Sequence, residues 1–120
     1  MTSFVRTIQQ SEPESWVEDI LSRRDDAVPM PMRPGKAQPG DYVYILYRGE
    51  IVARAEVADI EPVDTIIALH EGCDMRAKAL VHYRGGWQRA PEPAPKAKGF
   101  QGIRYVDRLG LAHLDAEDWG

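Results

Sequence analysis

The stretch that most constrains the fold runs from residue 41 to residue 62 and reads DYVYILYRGEIVARAEVADIEP. Side chains alternate between two faces from Tyr42 to Tyr47, and a second, less regular alternation runs over residues 51–60. A period of two residues indicates a strand, and Gly49 between the two runs permits the tight turn of a hairpin. We therefore predict that the chain builds its core on an antiparallel β-hairpin.

One helix is predicted near the N-terminus, over residues 11–24. Ser11 is the expected N-cap and Pro13 falls in the first turn, while Arg23 and Arg24 suit the negative end of the helix dipole. Apolar residues at helical spacing predict a buried stripe, made of Trp16, Val17, Ile20 and Leu21. The expected role of this helix is to pack on a sheet.

Three further segments have the pattern of strands. Residues 4–9 alternate apolar and polar side chains, residues 75–89 place alanine, valine and tyrosine on one face, and residues 100–109 resemble a final strand. Within the second of these, Gly85 and Gly86 predict a turn or a bulge. The expected fold class is α+β, a small mixed pseudo-β-barrel of five to six strands with one N-terminal helix, in one domain over residues 1–120.

Between these elements the pattern is weaker. Residues 27–41 contain four prolines and two glycines and are predicted to be a long irregular loop. Residues 63–71 are apolar but of ambiguous type, and residues 90–99 form a proline-rich loop. The last residues are expected to make a short helical turn or an ordered tail.

The composition favours a cytoplasmic protein. The first residues lack the basic and apolar regions of a signal peptide, and no apolar stretch is long enough for a membrane helix. Cys73 is the single cysteine, which excludes an internal disulfide and fits a reducing compartment.

Charge is segregated along the chain, although the net charge is only −4. Residues 1–75 carry seven basic and fourteen acidic side chains, whereas residues 76–108 carry eight basic and two acidic ones. Such segregation can produce a positive patch on the folded surface. It can equally disappear if the fold interleaves the two halves, and the sequence leaves both outcomes open.

Catalytic and metal-binding motifs are weak. The GFQG string at residues 99–102 lacks the spacing and the following helix of a phosphate loop, and Gly35-Lys36 fails in the same way. His70 and Cys73 are three residues apart, but the second ligand pair of a structural zinc site is missing. The acidic residues fall mainly in the helix, the turns and the tail. We therefore expect no cofactor and no metal, and we lean against an enzyme.

The segment QPGDYVYILYRGEIVARAEVADI resembles a recurrent element of the PUA-like superfamily, which includes the ASCH and EVE domains. The residues that carry the resemblance are Pro39, Gly40, Asp41, Tyr42, Tyr44, Tyr47, Gly49, Ile51, Val52, Ala53 and Val57. The resemblance implies a pseudo-barrel with a groove between the helix and the barrel mouth, where related domains bind RNA, modified bases or nucleotide-like ligands. The glycine–lysine–x–x–glutamate–x–arginine pattern of many ASCH domains is missing, which argues against their catalytic roles.

Nucleic-acid binding is the function that the residues favour, because it requires cations for phosphate and flat side chains for bases. The candidate binding residues are Arg33, Lys36, Arg84, Trp87, Arg89, Lys96, Lys98, Phe100, Gln101 and Arg104. Trp87 or Phe100 would stack on a base, and Gln101 or Arg104 would read polar edges. The alternative for both aromatic side chains is a place in the core.

Two other functions remain open at this stage. An acidic surface over residues 11–26 and the tail would suit a basic protein partner, as in a small phage or defence-associated regulator. An ASCH-type enzyme acting on a nucleotide-like substrate would need a carboxylate or lysine with a perturbed pKa in the groove. The sequence does not indicate the oligomeric state.

Overall fold

The fold is a six-stranded mixed sheet with one α-helix. A computed structural model describes residues 2–24, 26–70, 73–100 and 103–119. The elements in chain order are β1 (Phe4–Ile8), α1 (Glu14–Leu21), β2 (Asp26–Met30), β3 (Tyr42–Tyr47), β4 (Glu50–His70), β5 (Cys73–Arg89) and β6 (Ile103–Tyr105), followed by the 3₁₀ helices Val106–Leu109 and Ala112–Ala116. The predicted α+β class, with one N-terminal helix and strands over residues 4–9 and 75–89, agrees with this architecture.

The predicted hairpin lies at the centre of the sheet. The strand order is β2-β5-β4-β3-β1-β6, with β1 parallel to β3 and the other neighbours antiparallel. The turn between β3 and β4 places Arg48 at φ 51° and Gly49 at φ 79°. Positive φ at both central residues is typical of a type I′ turn, whose twist matches that of the two strands.

A second turn, in the PGD segment, leads into β3. Gly40 has a φ of 98°, which a residue with a side chain rarely adopts. The buried Asp41 carboxylate accepts a hydrogen bond of 2.8 Å from the backbone N–H of Gln38. The expected use of this motif as a turn is confirmed.

The sheet curves strongly around one of its faces. Register shifts in β4 and β5 mark bulges, and at one of them Gly85 and Gly86 both have positive φ. Bulges bend a strand and increase its twist. As a result, Val28 of edge strand β2 and Ile103 of edge strand β6 belong to one buried cluster. We call this concave side the inner face; no β2–β6 backbone pairing occurs among the described strands.

The opposite side of the sheet, here called the outer face, is covered by the C-terminal segment. Side chains alternate across β1, so that Phe4 and Ile8 pack on the inner face and Val5 packs on the outer one. Leu114 and Trp119 from the C-terminal segment join the outer cluster. The expected helical turn near the C-terminus is present as the second 3₁₀ helix.

Helix α1 closes one end of the inner core through Val17 and Leu21, which are buried. The helix starts later than predicted, because residues 9–12 form a turn and Pro13 occupies the N-cap position without a side-chain cap bond. The prediction of Ser11 as N-cap was therefore wrong. The Tyr47 hydroxyl anchors the start of α1 by donating a hydrogen bond of 2.7 Å to the Glu12 carbonyl.

The prediction of an irregular loop over residues 27–41 was wrong for its first part, which forms β2. Pro29 is compatible with this strand because β2 is an edge strand, where a missing N–H removes no bond to a second neighbour. Residues 63–70, in the segment whose type was ambiguous, extend β4 as far as His70. The predicted final strand is short, since β6 ends at Tyr105 and a 3₁₀ helix follows.

Arg54 ties the C-terminal segment to the sheet. Its side chain is only 3% exposed and lies between the rings of Tyr42 and Trp119, 4.4 and 4.5 Å from their centroids. The guanidinium donates hydrogen bonds of 2.8 Å to the Leu114 carbonyl and 2.7 Å to the Glu117 carbonyl. These hydrogen bonds join β4 to the backbone of the C-terminal segment.

We expect Arg54→Met to lower the free energy of unfolding by about 3 kcal/mol, because it removes three hydrogen bonds made by one buried charged group. Urea denaturation measures the loss, and limited proteolysis should show earlier cleavage in residues 106–119. Arg108→Met is the matched control: Arg108 is exposed, so the change should stay within about 0.5 kcal/mol. Equal stability of the two variants would contradict this account of Arg54.

A second prediction concerns Tyr44, whose hydroxyl donates a hydrogen bond of 2.6 Å to Asp115. Burial, helped by this bond, raises the pKa of Tyr44 well above its ordinary value of 10.0. The folded protein therefore keeps the phenol proton where the unfolded chain loses it, and stability should fall as pH rises above 10. The slope attributable to Tyr44 approaches about 1.4 kcal/mol per pH unit.

Urea denaturation between pH 8 and pH 11.5, with Tyr44→Phe as the comparison, measures this contribution. Arg6, whose pKa is lowered, contributes a slope of opposite sign in both proteins, so that the difference between them isolates Tyr44. Parallel stability curves for the two proteins would show that the Tyr44 hydroxyl is not held in its neutral form by the fold.

Candidate nucleic-acid interface

Half of the basic side chains in residues 76–108 form ion pairs with acidic side chains from residues 1–75. Ion pairs join Arg76 and Lys78 to Asp64 at 2.6 and 3.1 Å, and Arg89 makes two hydrogen bonds to Glu18. A further pair joins Arg84 to Glu56. The folded β5 therefore carries little uncompensated charge, and two of the predicted binding residues, Arg84 and Arg89, are engaged within the protein.

Two lysines of the basic C-terminal region that lie after β5 take no part in these ion pairs. Lys96 and Lys98 are exposed, and neither forms an ion pair with a carboxylate in the described part of the chain. Their backbone is held beside the start of β4, where the N–H of Ala97 donates to the Gly49 carbonyl at 3.1 Å and the N–H of Ile51 donates to the Pro95 carbonyl at 2.7 Å. The proline-rich loop thus presents these two lysines from a hydrogen-bonded segment.

A second group of predicted residues meets at β6. The backbone N–H of Lys36 donates a 3.0 Å hydrogen bond to the Tyr105 hydroxyl, and the Lys36 ammonium lies 5.7 Å from the centre of the same ring. The Arg104 guanidinium lies 5.3 Å from the centre of the Phe100 ring. The expectation that the loop before β3 approaches the basic C-terminal region therefore holds for Lys36. We call Lys36, Phe100, Arg104 and Tyr105 the β6-edge cluster, while Lys96 and Lys98 lie beside the start of β4.

The two predicted stacking residues do not lie together. Trp87 packs on the inner face, with its ring centre 4.8 Å from that of Tyr83 and its Nε1 buried without a hydrogen-bond acceptor. Phe100 packs against the outer cluster. Because the two rings contact opposite faces of the sheet, they cannot form one platform. Phe100 is thus the stacking candidate at the β6-edge cluster, and Trp87 belongs mainly to the core.

The remaining predicted binding residues contribute less to a possible binding surface. Arg33 is exposed in the loop after β2 and forms no ion pair with a described carboxylate, but no contact joins its side chain to β6. Gln101 lies outside the described residues. The acidic surface of α1 is partly neutralised, because Asp19 pairs with Arg23 at 2.8 Å and Glu18 pairs with Arg89.

A separate cavity of about 320 Å³ lies between α1, β2 and the far ends of β4 and β5. Its lining is mostly apolar and includes Trp16, Ile20, Val28, Pro29, Ile67, Leu80 and Tyr83, with Arg23 and Asp26 as the charged members. Those two charged side chains pair with each other at 3.0 Å. None of the predicted binding residues lines this cavity.

Arg6 is a charged residue that sequence reasoning did not select. It lies on the same face of β1 as the buried Phe4 and Ile8 and is itself only partly exposed. Burial lowers its pKa to about 10. The signal was present in the sequence, since an arginine between two inward-facing apolar positions of a strand is unusual and demands a partner.

Across the described ranges, no group of three or more histidine, cysteine, aspartate or glutamate side chains is arranged to hold a metal ion. No helix in the same ranges has the length and apolar character needed to cross a membrane. The side chains of His70 and Cys73 lie outside the described part of the structure.

The fold and the cluster define a small α+β domain with a curved sheet and a basic edge. Comparison with family models, with curated proteins and with solved structures found no match to this chain. The function is therefore inferred from the positions and contacts of the residues of this chain.

If Trp87 is a core residue, Trp87→Ala should lower the free energy of unfolding by about 3 kcal/mol, whereas Trp87→Phe should cost less than about 1.5 kcal/mol. Phenylalanine keeps most of the packing and removes an indole N–H that has no acceptor. Thermal and urea denaturation measure both values. Loss of less than about 1 kcal/mol in the alanine variant would return Trp87 to the list of surface binding residues.

Proposed function

We propose that this protein is a non-enzymatic PUA-like domain that binds nucleic acid, with RNA or a modified base as the preferred target, through the β6-edge cluster together with Lys96 and Lys98 of the proline-rich loop. The observation that carries the proposal is the contrast in charge pairing. The basic residues of β5 are matched to carboxylates, whereas Lys36, Lys96 and Lys98 have no such partner among the described residues. Exposed cations without a carboxylate partner are the usual contacts for a phosphate backbone.

The aromatic residues of the cluster supply the second requirement. Arg104 and Phe100 form a cation–π pair on the outer side of β6, and Lys36 and Tyr105 form another at the same short strand. Unstacked bases bind on aromatic rings and on the plane of a guanidinium. An extended single strand would meet the two lysines of the proline-rich loop and then Phe100 and Arg104 on the outer side, whereas Tyr105 packs against the inner cluster.

The PUA-like assignment has support from the sheet. The PGD turn uses glycine at positive φ and aspartate as a local hydrogen-bond acceptor, and it leads into the aromatic strand β3. Residues from both edge strands share the inner cluster, as expected of a sheet that curls toward a barrel. Full closure of this barrel is part of the proposal.

Fluorescence titration with single-stranded RNA, single-stranded DNA and duplex oligonucleotides at two salt concentrations tests the function. We expect micromolar binding that weakens as salt rises, with the single strands preferred. Lys96→Gln combined with Lys98→Gln should reduce the salt slope by about 1.4, because each single-strand phosphate contact contributes about 0.7.

Two further variants separate stacking from charge. Phe100→Leu keeps an apolar side chain on the outer cluster but removes the flat ring, and we expect it to weaken binding by about 1–3 kcal/mol. Lys78→Gln is the charge control, since Lys78 is paired with Asp64 away from the cluster and should leave binding unchanged. Absence of salt-sensitive binding at micromolar protein would refute the proposal and favour a protein partner.

A further inference from the structure

Arg6 lies in the gap between β1 and β2, the two strands that face each other across the concave side of the sheet. Its Nε donates a hydrogen bond of 3.1 Å to the Pro29 carbonyl on β2. Its Nη2 contacts the Met75 sulfur on β5 at 3.6 Å. The guanidinium therefore bridges three strands at a point where β1 and β2 are not paired with each other.

Arg6 has more N–H donors than there are acceptor atoms in contact with it among the described residues. A guanidinium has five N–H donors, and the described contacts of Arg6 are one carbonyl and one thioether. A thioether sulfur is a weak acceptor, which an oxygen anion readily replaces. No carboxylate in the described part of the chain forms an ion pair with this side chain. The negative charge of Glu12 attracts the guanidinium from a longer distance and raises its pKa against the larger effect of burial.

The surroundings of Arg6 increase the strength of any interaction with an anion. Its neighbours on the inner face of β1 are Phe4 and Ile8, at 0% and 2% exposure. A partly desolvated guanidinium attracts an anion more strongly than one in water, because the local dielectric constant is lower. The bond from Nε to Pro29 fixes the plane of the group, so that an incoming oxyanion would meet oriented donors.

We propose that Arg6 is the anion-binding residue of a ligand site between β1 and β2, and that this site takes an oxyanion, either a carboxylate or a phosphate. Arginine binds both groups through paired N–H donors. The inference does not rest on the nucleic-acid function, since Arg6 projects from the inner face whereas Arg104 and Phe100 pack on the outer side. The Arg6 side chain is partly exposed, so part of the group can be reached by a ligand from solvent.

The first experiment uses the unmodified protein. Thermal denaturation is recorded with increasing sodium phosphate or sodium acetate, with sodium chloride added to hold ionic strength constant. We expect saturable stabilisation by at least one of the two anions, of about 5 °C at ten times its dissociation constant. In parallel, the Arg6 Nε–H resonance in a ¹⁵N NMR spectrum should shift along the same titration curve.

Three variants test whether Arg6 is responsible for the stabilisation by anions. Arg6→Met should remove the anion-dependent shift, and Arg6→Lys, which keeps the charge but loses the paired donors, should weaken anion binding at least tenfold. Arg108→Met is the control and should keep the full shift, because Arg108 is exposed outside the gap. The Lys variant and the NMR titration remain informative if the Met variant does not fold.

The outcomes separate the two sources of the anion. Loss of oligonucleotide affinity in Arg6→Lys would identify a nucleic-acid phosphate as the bound group, and unchanged oligonucleotide affinity with weakened phosphate or acetate binding would identify a small molecule; both support the site. Absence of stabilisation and of an NMR shift in the native protein would overturn the proposal. Equal anion-dependent shifts in the Arg6 and Arg108 variants would do the same.

Discussion

The buried guanidinium of Arg54 is the interaction on which the outer half of the molecule depends. It replaces water with two backbone carbonyls, one side-chain amide oxygen and two aromatic rings, and no carboxylate among the described residues forms an ion pair with it. Removing the guanidinium breaks these three hydrogen bonds and both ring contacts at once. The C-terminal segment is therefore positioned by polar contacts as well as by apolar burial. Because Leu114 and Trp119 of that segment pack against Tyr44, the packing of the outer cluster depends on the same residue.

Charge pairing within the fold determines which surface remains basic. Acidic residues from α1 and β4 neutralise the arginines and the lysine of β5, whereas Lys96 and Lys98 of the proline-rich loop form no ion pair with a described carboxylate. The net charge of −4 thus gives no measure of the local field. Exposed pairs of this kind add little stability, but they remove cations from the set available to a ligand. Among the described residues, Lys36, Lys96 and Lys98 of the proposed interface and Arg6 of the proposed anion site form no ion pair with a carboxylate.

Several elements could be predicted because their signals are local. The hairpin followed from alternation and from glycine at the turn, and the bulge followed from Gly85 and Gly86. The start of α1 was misplaced because a turn at residues 9–12 separates Ser11 from the helix. Strand β2 was missed because four prolines in one segment outweighed the short run around Val28. Its place at the edge of the sheet, which makes Pro29 acceptable, depends on distant strands and has no local signature.

The sequence by itself determined the central hairpin, the single helix, the PGD turn and the concentration of basic residues after residue 75. These depend on periodicity, on backbone preferences and on composition, which act over a few residues. Only the tertiary structure decided which cations are paired, that Trp87 and Phe100 contact opposite faces, and that Arg6 bridges the gap between β1 and β2. Those outcomes depend on strand order and curvature, because residues far apart in the chain become neighbours only when the sheet has formed. The physical reason is that charge pairing and burial are properties of distance in space, and spacing along the sequence does not fix that distance.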